Sequence, residues 1–144
     1  MFRIEKAKKK DFPEILAIEN LSFTNPWSKN QFGESLSNFF VAKKGPKIVG
    51  FIGVQKLIDE AHILHMATHP DYRRTGVARK LMRKALAVRA KKFFLEVRKS
   101  NIPAQHLYKS LGFRMISIRN KYYSDNDEDA LVMIYERPQR SVKK

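Results

Sequence analysis

Residues 69–86 read HPDYRRTGVARKLMRKAL, and the six from Arg73 to Ala78 (Arg-Arg-Thr-Gly-Val-Ala) decide the fold. Upstream, Ala61–Thr68 reads as a strand ended by His69-Pro70-Asp71. Downstream, Val77–Ala90 carries apolar Val77, Leu81, Ala85 and Leu86 at helical spacing, with Arg79, Lys80, Arg83 and Lys84 on the other side. A loop at such a junction presents backbone N–H groups at a helix N-terminus, where the helix dipole also favours an anion. Gly76 lets the backbone approach a phosphate closely, and Ala78 keeps the next turn open. Taken alone, the same residues also suit a tight turn with a basic surface.

Working outward, Phe2–Ala7 reads as a first strand. Asp11 with Glu14 has the spacing of a capping pair and opens a helix through Ile15, Leu16, Ile18 and Leu21. Ser28 and Gln31 repeat that spacing after the turn-like Asn25-Pro26 and predict a second short helix. Phe39–Lys43 and Ile48–Leu57 are strands around a Gly45-Pro46 turn. On the other side, Phe93–Val97 suits a buried strand. Ala104, Leu107, Tyr108 and Leu111 mark a helix stopped by Gly112. Phe113–Tyr122 and Ala130–Glu136 are two last strands flanking an acidic loop. The predicted order is β-α-α-β-β-β-α-β-α-β-β, in one domain over residues 1–138 with a basic tail at 139–144.

Beyond the first loop, Leu95-Glu96-Val97-Arg98-Lys99-Ser100-Asn101, then Ala104, then Leu107-Tyr108-Lys109-Ser110-Leu111-Gly112-Phe113 stand at the spacing found in GNAT acetyltransferases. The loop has that family's Arg/Gln-x-x-Gly-x-Gly/Ala form through Arg73, Gly76 and Ala78. The flanks, Pro26-Trp27-Ser28 and Tyr122-Tyr123 followed by Glu128-Asp129-Ala130, are similar to the RimI-like branch, which acetylates N-terminal amines of ribosomal protein. The resemblance implies a mixed, mostly antiparallel seven-stranded α/β sheet whose central parallel strands splay, flanked by about four helices. It also implies transfer of acetyl from acetyl-coenzyme A to a protein N-terminal α-amine, with a ribosomal N-terminal alanine as the expected acceptor, by direct attack. An acetyltransferase for a small amine, such as a polyamine or antibiotic, would share the cofactor residues. A basic RNA- or ribosome-binding module with an idle cofactor fold is the alternative from another class.

Residue by residue, the resemblance assigns the backbone of Met66, Ala67 and Thr68 to the pantetheine arm. Arg73, Arg74, Thr75, Gly76, Val77 and Ala78 then hold the pyrophosphate, with Arg79 near the outer phosphate. Glu96 matches the base and Tyr108 the acid; read without the family, they are a strand-end carboxylate and a core aromatic. Asn101 is either a cofactor contact or the N-cap of its helix. Trp27, Tyr122, Tyr123, Glu128 and Asp129 fall on loops expected to border the acceptor. Trp27 alone also reads as a packing anchor, and the acidic Asp125, Asp127, Glu128 and Asp129 as a solvated turn.

Composition narrows the chemistry. The chain has no cysteine, so a disulfide, a thiolate metal site and a cysteine nucleophile are excluded, and no serine lies in a nucleophile motif. His62, His65, His69 and His106 lack metal-ligand spacing and have no carboxylate motif beside them, so they are expected to be structural or exposed, with no metal. No apolar run approaches a membrane span or a signal-peptide core, and a cytoplasmic protein without membrane contact is expected. A net charge of +15 attracts polyanions and fits weak ribosome or RNA attraction, or simply a solvated basic surface.

Overall fold

A computed structural model of the chain describes residues 2–23, 26–27 and 38–138. Seven strands form one sheet: β1 (Arg3–Lys6), β2 (Phe39–Lys44), β3 (Lys47–Leu57), β4 (Glu60–Thr68), β5 (Lys92–Arg98), β6 (Arg114–Tyr123) and β7 (Glu128–Glu136), hydrogen-bonded in the order β1-β2-β3-β4-β5-β7-β6. Strands β4 and β5 run parallel, whereas β1 with β2, β2 with β3, β5 with β7 and β6 with β7 are antiparallel. Three α-helices stand among the described residues: α1 (Phe12–Ser22), α2 (Val77–Leu86) and α3 (Ile102–Ser110). The helix expected around Ser28 and Gln31, and the basic tail, lie outside the described residues.

The chain divides into two compact units, Met1–Gln55 with Ile63–Val88, and Lys56–His62 with Arg89–Lys144. In the first, Ile15, Ile18, Phe39, Val41, Ile48 and Phe51 are buried together, because β3 is apolar almost throughout and α1 turns its isoleucines inward. Gly45 takes φ 59° in the β2–β3 turn, as the hairpin reading required. The expected capping pair is not formed at α1. Asp11 makes no side-chain cap bond to the helix; its carboxylate accepts from Lys8 N at 2.8 Å and meets Lys43 Nζ at 3.6 Å. Glu14 reaches instead to Ile48 N of β3 at 3.1 Å. Each carboxylate found a partner distant in sequence. Leu21, expected on the apolar face, is exposed, and Glu19 is buried in the core.

In the second unit, Phe93, Leu95 and Val97 of β5 are buried while Phe94, Glu96 and Arg98 lie on the half-buried opposite face, so the strand alternates rather than being buried throughout. Helix α3 ends as expected at Gly112, φ 105°. Gly112 N donates to Lys109 O at 3.0 Å, and Phe113 N donates to Tyr108 O at 3.0 Å. Helix α2, predicted to reach Ala90, stops at Leu86, and Ala87 to Lys91 form the turn into β5.

Candidate functional site

In the first unit, β4 delivers the chain to Thr68 and a 3-10 turn at Pro70–Tyr72 leads into the basic loop. His69 Nδ1 accepts from Asp71 N at 3.1 Å, and the Thr75 hydroxyl donates to Tyr72 O. Arg74 and Gly76 both take left-handed φ, 63° and 89°. Gly76 is the N-cap of α2 and has no side chain with which to cap the N–H groups of Val77 and Ala78. A Cβ built on Gly76 meets nothing within 4 Å. Open space, uncapped N–H groups and a helix N-terminus suit the pyrophosphate of acetyl-coenzyme A. Arg73, Arg74, Thr75 and Gly76 are exposed, Val77 is buried and starts the apolar stripe of α2, and Arg79 is half-buried. Ala67 is buried, with Met66 and Thr68 half-buried on the alternate side of β4. Packing also fixes how close the backbones lie: Ala67 O would be 3.1 Å from a Cβ at Gly50 of β3.

Trp27, in the same unit, acts as a packing anchor. Its ring stacks on His65 at 4.6 Å and 6° and meets Phe39 edge-on at 6.2 Å. Its backbone N–H donates to Glu19 Oε2 at 2.8 Å.

The second unit carries Glu96 and Tyr108. Glu96 stands two residues from the end of β5 with its side chain 18% exposed, and His62 Nε2 of β4 lies 3.5 Å from its Oε2. Tyr108 lies on the inward face of α3 and packs against Phe113. Gln105, one turn earlier, donates to Arg98 O at 3.1 Å and Lys99 O at 2.8 Å, tying α3 to the end of β5. Burial, with a smaller contribution from Tyr123, pushes the Tyr108 phenol up to about 12. It is therefore protonated at neutral pH and able to donate. No hydrogen bond or ion pair joins Glu96 to Tyr108 among the described residues.

Asn101 is the N-cap: its Oδ1 accepts from Ala104 N at 3.3 Å. The acidic loop is more than a solvated turn. Arg98 reaches Asp125 at 2.9 Å and Glu128 at 3.3 Å; Glu128 accepts from Ser100 N at 2.6 Å, and Asp129 from Lys121 N at 2.9 Å. The Ser100 bonds, ahead of Asn126 and Arg98, hold the Glu128 carboxyl below its usual range. Tyr122 is exposed and packs edge-on to half-buried Tyr123 at 5.1 Å.

The histidines have carboxylate partners that no motif beside them announces. Three of the four meet carboxylates: His62 with Glu96 and His65 with Glu19 through partners that the fold brings from far along the chain, and His69 with Asp71, two residues on, at 3.9 Å. Glu19, His65 and Arg98 are functional candidates that sequence reasoning missed. The one available signal was Glu19 on the inward stripe of α1 with Ile15 and Ile18. No group of three or more metal-ligating side chains stands among the described residues, and no helix among them is long and apolar enough to cross a membrane.

The profile of the Acetyltransferase (GNAT) family matches residues 3–113. The chain is 36% identical over 143 residues to the [ribosomal protein bS18]-alanine N-acetyltransferase of Escherichia coli strain K12, covering 92% of this chain and 96% of that one. It is 31% identical over 153 residues to an N-alpha-acetyltransferase of Sulfurisphaera tokodaii, covering 92% and 91%. The crystal structure of the ribosomal-protein-S18-alanine N-acetyltransferase from Escherichia coli superimposes with TM-score 0.89, 30% identity and full coverage of both chains.

Proposed function

The chain belongs to the GNAT acetyltransferase family and is an acetyl-coenzyme A-dependent N-acetyltransferase, and from that premise we propose that its acceptor is the N-terminal alanine of ribosomal protein bS18. The observation that carries the acceptor is the end-to-end 36% identity to the Escherichia coli enzyme of that name. An α-amine is also the easier nucleophile. Its pKa lies about 2.5 units below that of lysine, so a several-hundred-fold larger fraction is deprotonated near neutrality.

Bound acetyl-coenzyme A supplies the acetyl thioester. The uncapped start of α2, from Arg73 through Ala78, holds its pyrophosphate, and the backbone of Met66, Ala67 and Thr68 pairs with the pantetheine arm. Arg79 lies within reach of the outer phosphate; Asn101 serves α3 as its cap. Glu96 takes the proton of the incoming ammonium, and Tyr108 holds its proton toward the leaving sulfur. Trp27, Tyr122, Tyr123, Glu128 and Asp129 border the acceptor, where the acidic pair draws a basic N-terminal peptide. The net +15 adds weak attraction to ribosomal RNA, and the work is done in the cytoplasm.

The test compares an Ala-starting bS18 peptide, its N-terminally blocked lysine-containing counterpart and spermidine at matched concentrations. The free N-terminus is expected to be acetylated fastest; faster acetylation of either control overturns the acceptor assignment.

A further inference from the structure

Glu19 is the outlier of the first unit, a carboxylate with 0% exposure on α1 next to Ile18. A buried carboxylate is costly unless donors reach it. His65 Nε2 lies 2.7 and 2.8 Å from its two oxygens, and the backbone N–H of Trp27 donates to Oε2 at 2.8 Å. Glu19 also receives Phe23 N on its main-chain oxygen at 3.1 Å. One residue therefore fastens the chain leaving α1 at two points, Phe23 through its backbone and Trp27 through its side chain. The His65 ring completes the arrangement, flat against Trp27 and tilted 31° to Phe23 at 4.6 Å.

Filling the core does not require this pair, since apolar residues of similar size bury at no electrostatic cost. What it adds is a fixed chain path: the group captured is a main-chain N–H, and a hydrogen-bonded pair accepts one geometry where apolar packing accepts several. We propose that Glu19 and His65 are positioning residues that set where Trp27 stands, and thereby the affinity for the acceptor, without touching the reacting atoms. The proposal rests on the reading that Trp27 borders the acceptor. His65 directly precedes Met66–Thr68, so the same ring joins the acceptor-side segment to the strand assigned to the pantetheine arm.

The sole tryptophan of the chain makes this measurable, because its emission reports the stack on His65 directly. His65→Leu removes donor and ring; His65→Gln keeps an N–H for Glu19. Kinetics use whichever acceptor the wild-type protein acetylates fastest in the comparison above, so the wild-type acceptor preference tests the earlier reading separately. The expected result for His65→Leu is an altered Trp27 emission and an acceptor KM raised about tenfold or more. The value of kcat and the affinity for acetyl-coenzyme A stay within about twofold, and His65→Gln recovers much of the KM. If His65→Leu does not fold by circular dichroism, the double variant Glu19→Gln, His65→Gln takes its place, with an uncharged amide pair that loosens the stack. Altered emission with an unchanged KM, unaltered emission, or a parallel fall in kcat and cofactor affinity in the folded variant overturns the positioning role.

Discussion

The guanidinium of Arg98 lies 4.0 Å from the centroid of the Tyr123 ring while also pairing with Asp125 and Glu128. One cation thus gathers the end of β5, the end of β6 and the acidic loop. Lysine cannot reproduce a planar fork that stacks and bonds together. Arg98→Lys and Arg98→Ala should both lower Tm by a few degrees, alanine more. The sign with pH follows from Glu128, whose depressed value means the carboxylate form is favoured by folding. Its contribution is present above the ordinary carboxylate range and is lost as pH falls through the depressed value. The Ser100 bonds are the larger cause of that depression and Arg98 the last, so melting curves from pH 7 to pH 3 should show both wild type and Arg98→Ala losing stability at the acid end, with the wild-type advantage shrinking only by the smaller share that Arg98 supplies.

Glu96→Gln should slow turnover chiefly below the pKa of the acceptor amine, where a base is needed, and Tyr108→Phe should slow it across the range by leaving the departing sulfur without a donor. Each loss is expected at about 100- to 10,000-fold, the usual size of one acid–base contribution. Full activity of both folded variants across pH would remove them from the chemistry.

The parts of this molecule legible in its sequence are those set locally. Gly76 and Gly112 declare helix boundaries because their left-handed φ favours glycine, and both boundaries stand where expected. The strands of the β2–β3 hairpin follow from their apolar runs and Gly45. The carboxylate partners were not legible: Glu14 with Ile48, Glu19 with His65 and Arg98 with Asp125 are 34, 46 and 27 residues apart. Such pairs depend on register between elements, which no local spacing encodes. The capping pair of Asp11 and Glu14 is not formed because Asp11 accepts from Lys8 N, three residues back, while Glu14 reaches Ile48 N of β3. The part played by Arg98 is not legible from its neighbours, because it comes from the loop that the side chain holds.

Gly53 of β3 stands opposite Phe39 of β2, and a Cβ there would lie 2.5 Å from the Phe39 ring, which is itself fully buried. The ring has nowhere to go in a packed core. Gly53→Ala should cost roughly 1–3 kcal/mol as overpacking. Urea unfolding checks this; a stability equal to wild type would mean that the core yields more readily than its burial implies.

At Gly76 the space is open but the backbone is left-handed. Gly76→Ala should therefore fold with a cost of about 1–2 kcal/mol from strain alone. Gly76→Asp adds a negative charge at the start of α2, where the pyrophosphate is proposed to bind, and should abolish acetyl-coenzyme A binding in calorimetric titration. Unchanged affinity in a folded Gly76→Asp variant would place the cofactor elsewhere.

Two phenols give the protein an alkaline limit. Burial raises Tyr108 to about 12, and burial, partly offset by Arg98, raises Tyr123 to about 12 as well. Below the ordinary tyrosine value, near 10, both states are protonated and stability is complete. As pH rises further, the unfolded chain ionises first, so stability falls until the folded phenols titrate. For Tyr108, held almost wholly out of water, the loss between pH 10 and pH 12 should approach roughly 2–3 kcal/mol. Tyr123 is half-buried and should contribute less, because solvent screens its ionised form. Urea unfolding of wild type and Tyr108→Phe at pH 8, 10 and 11 separates the two. The variant should lose clearly less stability above pH 10 than wild type, with the remainder assigned to Tyr123. Identical slopes would show that the Tyr108 phenolate reaches water in the folded protein. The hydroxyl proposed to face the leaving sulfur would then be less enclosed than its burial indicates.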